Sequence, residues 1–166
     1  SATPLPYDEE ELERLRKAIS PRPLWLYAST HDAEEELACR LHRQIEKSVP
    51  DLLTVIVPRH PARRNQIVDA CQKYGLGIKL RGDNKNLPGE TDQIYIADTM
   101  GELGLFYRLI PIACIGRSFS KDGGGGHNPI EAAQLDCAIL HGPHVQNLAR
   151  IFEEFNNAGA VLPLRT

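Results

Sequence analysis

Gly123-Gly124-Gly125-Gly126-His127-Asn128-Pro129-Ile130-Glu131 is the stretch around which the rest of the chain reads most coherently. In front of it lies an apolar run, Ile110-Pro111-Ile112-Ala113-Cys114-Ile115-Gly116, with the character of a buried strand. Behind it a helical pattern runs from Pro129 to Leu135. Glycines lack Cβ and let backbone N–H groups come close to a ligand. Asn128 is suited to cap a helix, and Pro129 to its first turn, where no N–H is needed. A helix N-terminus of this kind attracts an anion such as a phosphate. Asn128 and Glu131, three residues apart, equally make a capping box that does no more than start a helix.

Working outward from this stretch, strand and helix patterns alternate. Residues 1–6 read as disordered or as linker. Tyr7 to Ile19 is a charged helical pattern with Leu12, Leu15 and Ile19 on one face, ended by Pro21 and Pro23. Residues 1–22 are therefore set apart as linker and N-terminal helix, and 23–166 as one Rossmann-like domain. That domain opens with a strand at Leu24 to Ala28 and a helix to about Ser48. A second, β-branched strand follows at Leu53 to Val57. Pro61 opens a helix to about Tyr74, and Gly75 is placed to end it. Short strands are expected at Gly77 to Leu80 and Ile94 to Ala97, separated by a loose loop, Gly82 to Asp92. A short helix follows to about Arg108, then the Ile112 to Ile115 strand and the glycine stretch. A strand at Ala138 to His141, a helix at Asn147 to Asn157 and a last short strand at Ala160 to Leu162 complete the pattern. Such alternation implies an α/β fold: a parallel sheet with helices on both faces, joined by right-handed crossovers. Ligands then bind beyond the carboxyl ends of the strands. The loops expected there carry the unusual residues: Ser29-Thr30-His31, Pro58-Arg59-His60-Pro61, Asp98-Thr99-Met100-Gly101-Glu102 and the glycine stretch.

Composition narrows the function. At 166 residues the chain can bury one sizeable core. A formal net charge of −3 argues against broad nucleic-acid binding, although Arg59, His60, Arg63 and Arg64 form a local basic patch. No apolar run is long enough to span a bilayer, and the acidic, polar N-terminus is not that of a signal peptide. Cys39, Cys71, Cys114 and Cys137 lie in apolar patterns without C-x-x-C spacing, so buried free thiols in a reducing compartment are expected. The six histidines show no metal-ligand spacing, and neither a metal nor a cofactor is expected. A Walker lysine motif is absent, as is G-x-G-x-x-G after the first strand, which disfavours an ATPase or an NAD enzyme.

Taken together, Ser29-Thr30-His31 with Glu34-Glu35, Pro58-Arg59-His60-Pro61, Asp98-Thr99-Met100-Gly101-Glu102-Leu103, and Gly125 to Glu131 with Gly142-Pro143 resemble the 3-deoxy-D-manno-octulosonic acid (Kdo) transferases of bacterial lipopolysaccharide synthesis. Order and spacing agree from about Pro23 to the end of the chain. The resemblance implies the C-terminal, donor-binding half of a GT-B glycosyltransferase, two Rossmann-like halves facing a cleft. It implies that CMP-Kdo is held through Pro58, Arg59, Met100, Gly101, Glu102, Asn128, Pro129, Ile130 and Glu131, with possible donor contacts from His31, Gly126 and His127. It places no catalytic residue in this chain. The general base, a glutamate, and the site for the lipid A precursor belong to the family's N-terminal domain, and the full protein works at the cytoplasmic face of the inner membrane. Gly116-Arg117-Ser118 stands where the family has Gly-Gly-Ser, and Lys121-Asp122 with extra glycine extend the loop.

The residue chemistry fits those roles without requiring them. Arg59 follows a buried strand and has a planar fork that matches phosphate; it is also an ordinary surface arginine by type. Glu131 is suited to accept from ribose hydroxyls, or to close the capping box. Met100-Gly101-Glu102 is placed to present backbone groups to a cytosine edge, or simply to begin a helix. A nucleotide-sugar epimerase with a UDP ligand and a stand-alone nucleotide-binding module remain as alternatives.

Overall fold

The computed structural model describes residues 5–29, 34–116, 135–142 and 145–165. Its first strand, β1 (Leu24–Ser29), decides the layering. Trp25 and Tyr27 turn to one face of the sheet and Leu24 and Leu26 to the other, each at most 8% exposed. A strand apolar on both faces must be covered twice. On the Trp25 face lie α2 (Glu34–Ile45), α3 (Arg64–Lys73) and α5 (Val145–Asn157). Their contributions include Leu37, Leu41, Ile45, Ile67, Cys71, Ile151 and Phe155, whose ring meets Trp25 edge-on at 5.0 Å. The Leu26 face is covered by α1 (Glu9–Ile19) and α4 (Leu103–Leu109) through Leu12, Leu15, Ile19, Leu105, Phe106 and Leu109. Asp8 starts α1 by accepting hydrogen bonds from the Glu10 and Glu11 amides. The N-terminal helix thus packs directly onto the sheet.

Further strands are β2 (Leu53–Pro58), β3 (Ile78–Leu80), β4 (Ile94–Ile96), β5 (Ile112–Gly116), β6 (Leu135–Ile139) and β7 (Leu164–Arg165). They form one seven-stranded sheet in the order β3-β4-β2-β1-β5-β6-β7. The first five run parallel, as expected of a Rossmann-like α/β domain. The sheet is mostly rather than wholly parallel. β6 lies antiparallel to β5, and β7 follows β6. Leu135, expected at the end of a helix, opens β6 instead. Strand–helix alternation carries no information on direction, and the chain leaves β5 and re-enters β6 from the same edge.

That reversal corrects one reading of the cysteines. Cys114 and Cys137 face each other across the β5–β6 pair and are joined as a disulfide. In the all-parallel sheet expected from the pattern they are not cross-strand partners. Cys39 and Cys71 are free and buried, as expected, with sulfurs 3.4 Å apart where α2 meets α3. The segment Gly82 to Asp92 has no regular structure, but it is not loose. Arg14 donates to the Lys85 carbonyl, Arg22 to those of Gly89 and Asp92, and the Tyr95 hydroxyl to that of Asn86. No helix among the described residues is long and apolar enough to cross a membrane.

His42 ties α2 to the sheet, 1% exposed, with Nδ1 2.7 Å from the Thr54 hydroxyl. Burial drives its pKa down to about 4, against the opposing pull of Glu46, whose carboxylate is 4.0 Å away. The folded value lies below the ordinary 6.5, so the unfolded chain binds the extra proton between the two. This contribution to stability is complete above about pH 6.5 and is lost as pH falls toward about 4, on the order of 3 kcal/mol in total. Urea unfolding of wild type and His42→Asn at pH 7 and pH 4.5 checks it. Wild type should lose more stability than the variant across that interval; equal losses would mean that His42 takes up its proton as readily in the fold as in the unfolded chain.

Candidate functional site

The carboxyl ends of β4, β2, β1 and β5 lie side by side, because these strands are consecutive in the sheet. Connections turn to opposite sides between β1 and β5, with β2 and β4 on one side and β6 and β7 on the other. Open α/β sheets bind ligands at this reversal point. Two clefts lie elsewhere. One of about 380 Å³ lies at the amino edge between Ile19, Pro21, Leu109 and Leu148. Its neighbour of about 460 Å³ runs beside α4 past Tyr107 and Arg108. Among the described residues neither is lined by Pro58–Pro61 or Asp98–Glu102, which lie at the opposite edge of the sheet.

At the mouth of the reversal point the packing is tight. Glu34 and Glu35 begin α2, each only 3% exposed. A Cβ at Gly116, the last residue of β5, would lie 2.1 Å from Glu34 Oε2 and 2.6 Å from the Tyr27 hydroxyl. Glycine is required here because a buried carboxylate and a phenol already fill the space. Burial pushes the Tyr27 phenol well above its ordinary range, and the charges of Glu34 and Glu35 push it further. It is neutral at every physiological pH.

Beside it, Pro58 is buried at the end of β2, and Arg59 and His60 are exposed. The arginines that follow are committed. Arg63 grips Glu35 with two contacts, of 2.9 and 3.0 Å. Arg64 reaches Asp98 at 3.3 Å. Arg59 has no ion-pair partner among the described residues.

The loop after β4 separates into anchored ends and a free centre. Asp98 is buried and accepts from the Gly82 amide at 2.8 Å. Glu102 receives two hydrogen bonds from the fully buried Arg81 guanidinium, at 2.7 and 2.8 Å, and one from the Thr99 hydroxyl at 2.5 Å. The Arg81 hydrogen bonds hold the Glu102 pKa below the usual range despite its partial burial, and Thr99 adds to the effect. Burial opposes the charge on Arg81, but the bonds to Glu102 and Tyr95 more than offset it. Between these anchors Met100 is 78% exposed, and Gly101 has φ +77°. Few residues other than glycine hold that angle without strain.

Of the residues singled out in the sequence, the structure thus brings Pro58, Arg59, Met100, Gly101 and Glu102 to one edge. The Glu102 carboxylate is turned inward onto Arg81. His31, Gly126, His127, Asn128, Pro129, Ile130 and Glu131 lie outside the described residues. Sequence reasoning assigned no role to Arg81, named Asp98 only as the first residue of its loop motif, and named Arg63 and Arg64 only as members of a basic patch. The available signal was a charged residue directly after an apolar strand run, which holds for Arg81 and Asp98.

An open Rossmann-like sheet whose connections reverse between β1 and β5 is the kind of α/β domain in which ligands bind beyond the carboxyl ends of the strands. No protein-family model matches the chain. It is similar to the 3-deoxy-D-manno-octulosonic acid transferase of Rickettsia bellii, with 34% identity over 162 residues, 98% of this chain and 38% of that protein. The enzyme of the same name from Haemophilus influenzae is 37% identical over 145 residues, 87% of this chain and 33% of that protein. The probable mitochondrial one of Arabidopsis thaliana is 36% identical over 149 residues, 90% of this chain and 33% of that protein. Among solved structures, the C-terminal CMP-Kdo binding domain of WaaA from Acinetobacter baumannii superposes with a TM-score of 0.61 and 27% identity, covering 95% of this chain and 81% of that one. By sequence along nearly its whole length and by fold, the chain belongs with the Kdo transferases and corresponds to their C-terminal domain. It spans only about a third of the length of these curated relatives.

The crowding at Gly116 is directly testable. Gly116→Ala should destabilise the domain by about 1–3 kcal/mol, the usual cost of overpacking, measured as a fall in urea midpoint at constant m-value. A change below about 0.5 kcal/mol would mean that the Glu34 side chain swings aside freely.

Proposed function

We propose that this chain is the donor-binding half of a GT-B Kdo transferase and holds the cytidine monophosphate part of CMP-Kdo on its carboxyl edge. The single observation that carries the reading is the partition of cations there. Arg63 and Arg64 are spent on Glu35 and Asp98, whereas Arg59 is exposed and uncommitted beside an exposed Met100 and Gly101. An arginine fork left open at a strand end suits a phosphate, and charge-assisted bonds of that kind are the strong ones. Met100 supplies apolar surface for the base, and the Gly101 turn supplies backbone groups for its edge. The Glu102 carboxylate holds the loop rather than the ligand. Asn128, Pro129, Ile130 and Glu131 complete the site from the β5 side, with Glu131 accepting from ribose hydroxyls and His31, Gly126 and His127 near the sugar.

The chemistry asked of this half is modest. The sugar–phosphate bond breaks with the nucleotide as leaving group, and Arg59 with a helix N-terminus stabilises the charge that develops on it. Transfer also needs an acceptor held in line and a base to take its proton. Both come from a preceding domain, where a lipid A precursor binds and a glutamate acts as base, at the cytoplasmic face of the inner membrane. The pure 166-residue chain should therefore give no turnover of CMP-Kdo onto such an acceptor, and detectable product would refute this division of labour.

Binding is tested by NMR titration with CMP and with UMP. With half of the cleft absent, affinity for CMP should be only about millimolar, with shifts at Arg59 and Gly101. No perturbation at several millimolar CMP ends the proposal, and a preference for UMP replaces it with the epimerase-type alternative. Arg59→Ala should weaken CMP about 10- to 100-fold, the loss of one charge-assisted bond, and leave the melting temperature unchanged. Glu131→Gln should weaken it similarly, since the amide puts a donor where an acceptor is needed.

A further inference from the structure

We propose that Arg81 is a positioning residue for the Asp98–Glu102 loop, and that through Glu11 it makes helix α1 part of the nucleotide site. The inference rests on the CMP-binding reading above and concerns how that site is held in shape.

Arg81 follows β3 and its amide donates to the Ile96 carbonyl at 2.9 Å. Its side chain is 0% exposed and packs 5.7 Å from the Phe106 ring centre on α4. Each end of the fork is occupied. Nε and one terminal nitrogen take both oxygens of Glu102, and the other terminal nitrogen lies 3.0 Å from the Tyr95 hydroxyl. The nitrogen that meets Glu102 Oε2 also reaches Glu11 Oε1 on α1 at 2.9 Å. Glu11 in turn receives Arg14 at 2.7 Å, and Arg14 donates to the Lys85 carbonyl.

The loop is consequently clamped at both ends. Gly82 N–H and Arg64 hold Asp98, and Arg81 and Thr99 hold Glu102. Only Met100 and Gly101 project between them. A positive-φ glycine flanked by two clamps presents its peptide groups in one orientation, whereas with one clamp open the loop samples several. A ligand recognised by those peptide groups then meets a smaller competent fraction, and its apparent affinity falls by that fraction. A bidentate, buried carboxylate clamp is a task for arginine that lysine does not reproduce. α1 carries no residue of the site, yet it supplies the second counter-charge of the clamp.

The test uses Arg81→Lys and Glu11→Gln in the full chain, with Ile45→Val as the reference. Ile45 lies in the core on the opposite face of the sheet and its truncation lowers stability without reaching the loop. CMP affinity is read by NMR titration and loop order by hydrogen exchange of the amides at residues 99–103. Glu11→Gln should weaken CMP about three- to tenfold and speed exchange of those amides, with Arg81→Lys at least as large. Ile45→Val should lower the melting temperature with affinity and exchange unchanged. If Arg81→Lys does not fold, Glu11→Gln decides alone. Wild type binding CMP while Glu11→Gln binds it equally, or a loss matched by Ile45→Val, overturns the positioning role and leaves the CMP reading intact. A wild-type chain blind to CMP overturns the nucleotide reading and the positioning role with it.

Discussion

Everything in this domain is arranged about a strand that has no free side. β1 is paired along both edges, to β2 and β5, and covered on both faces. Its alternation is between two kinds of interior, aromatic toward α2 and α5 and aliphatic toward α1 and α4. Burying Trp25, Leu26 and Tyr27 completely removes several hundred Å² of apolar surface from water. The helices have nowhere else to go: each presents one apolar stripe, and only the two faces of the sheet accept it. From that constraint follows the reversal of connections beside β1, and with it the gap between the carboxyl ends of β1 and β5.

Such a gap is not yet a site. What distinguishes this edge is how its charges are divided. Glu35 and Asp98 are buried carboxylates and Glu102 a half-buried one, and each has an arginine on it. Leaving a buried charge unpaired costs several kcal/mol, so these arginines have a structural task. Arg59 stands outside that accounting. The same four-residue basic cluster that looks uniform in the sequence is therefore two structural cations, one exposed histidine and one free guanidinium.

Strand and helix positions could be read from periodicity because the central strands β1, β2 and β4 are apolar on both faces and the helices on one. Periodicity is silent on direction, so β6 was placed a few residues late and pointed the wrong way, and the disulfide went unseen with it. The carboxyl-edge loops were legible as loops because polar and Pro/Gly residues interrupt apolar runs. Their internal commitments were not. Glu102 reads as a ligand for substrate until Arg81, 21 residues earlier, is found beneath it. Nothing local in the sequence links those two positions; the link is made by β3 and β4 lying side by side. Glu11 is more distant still, on a helix that reads as an appendage and packs as a wall.

The bond between Cys114 and Cys137 stands at the throat of the segment that carries Gly123 to Glu131. In polymer terms the chain between those cysteines is a closed ring, not a tether hung between two strand ends. The separation of the ring's ends is set by covalent geometry and is indifferent to fraying at the β6–β7 margin. A ring with a fixed mouth has fewer configurations than an open chain of the same length. That loss of configurations is taken once, when the domain folds and the bond closes.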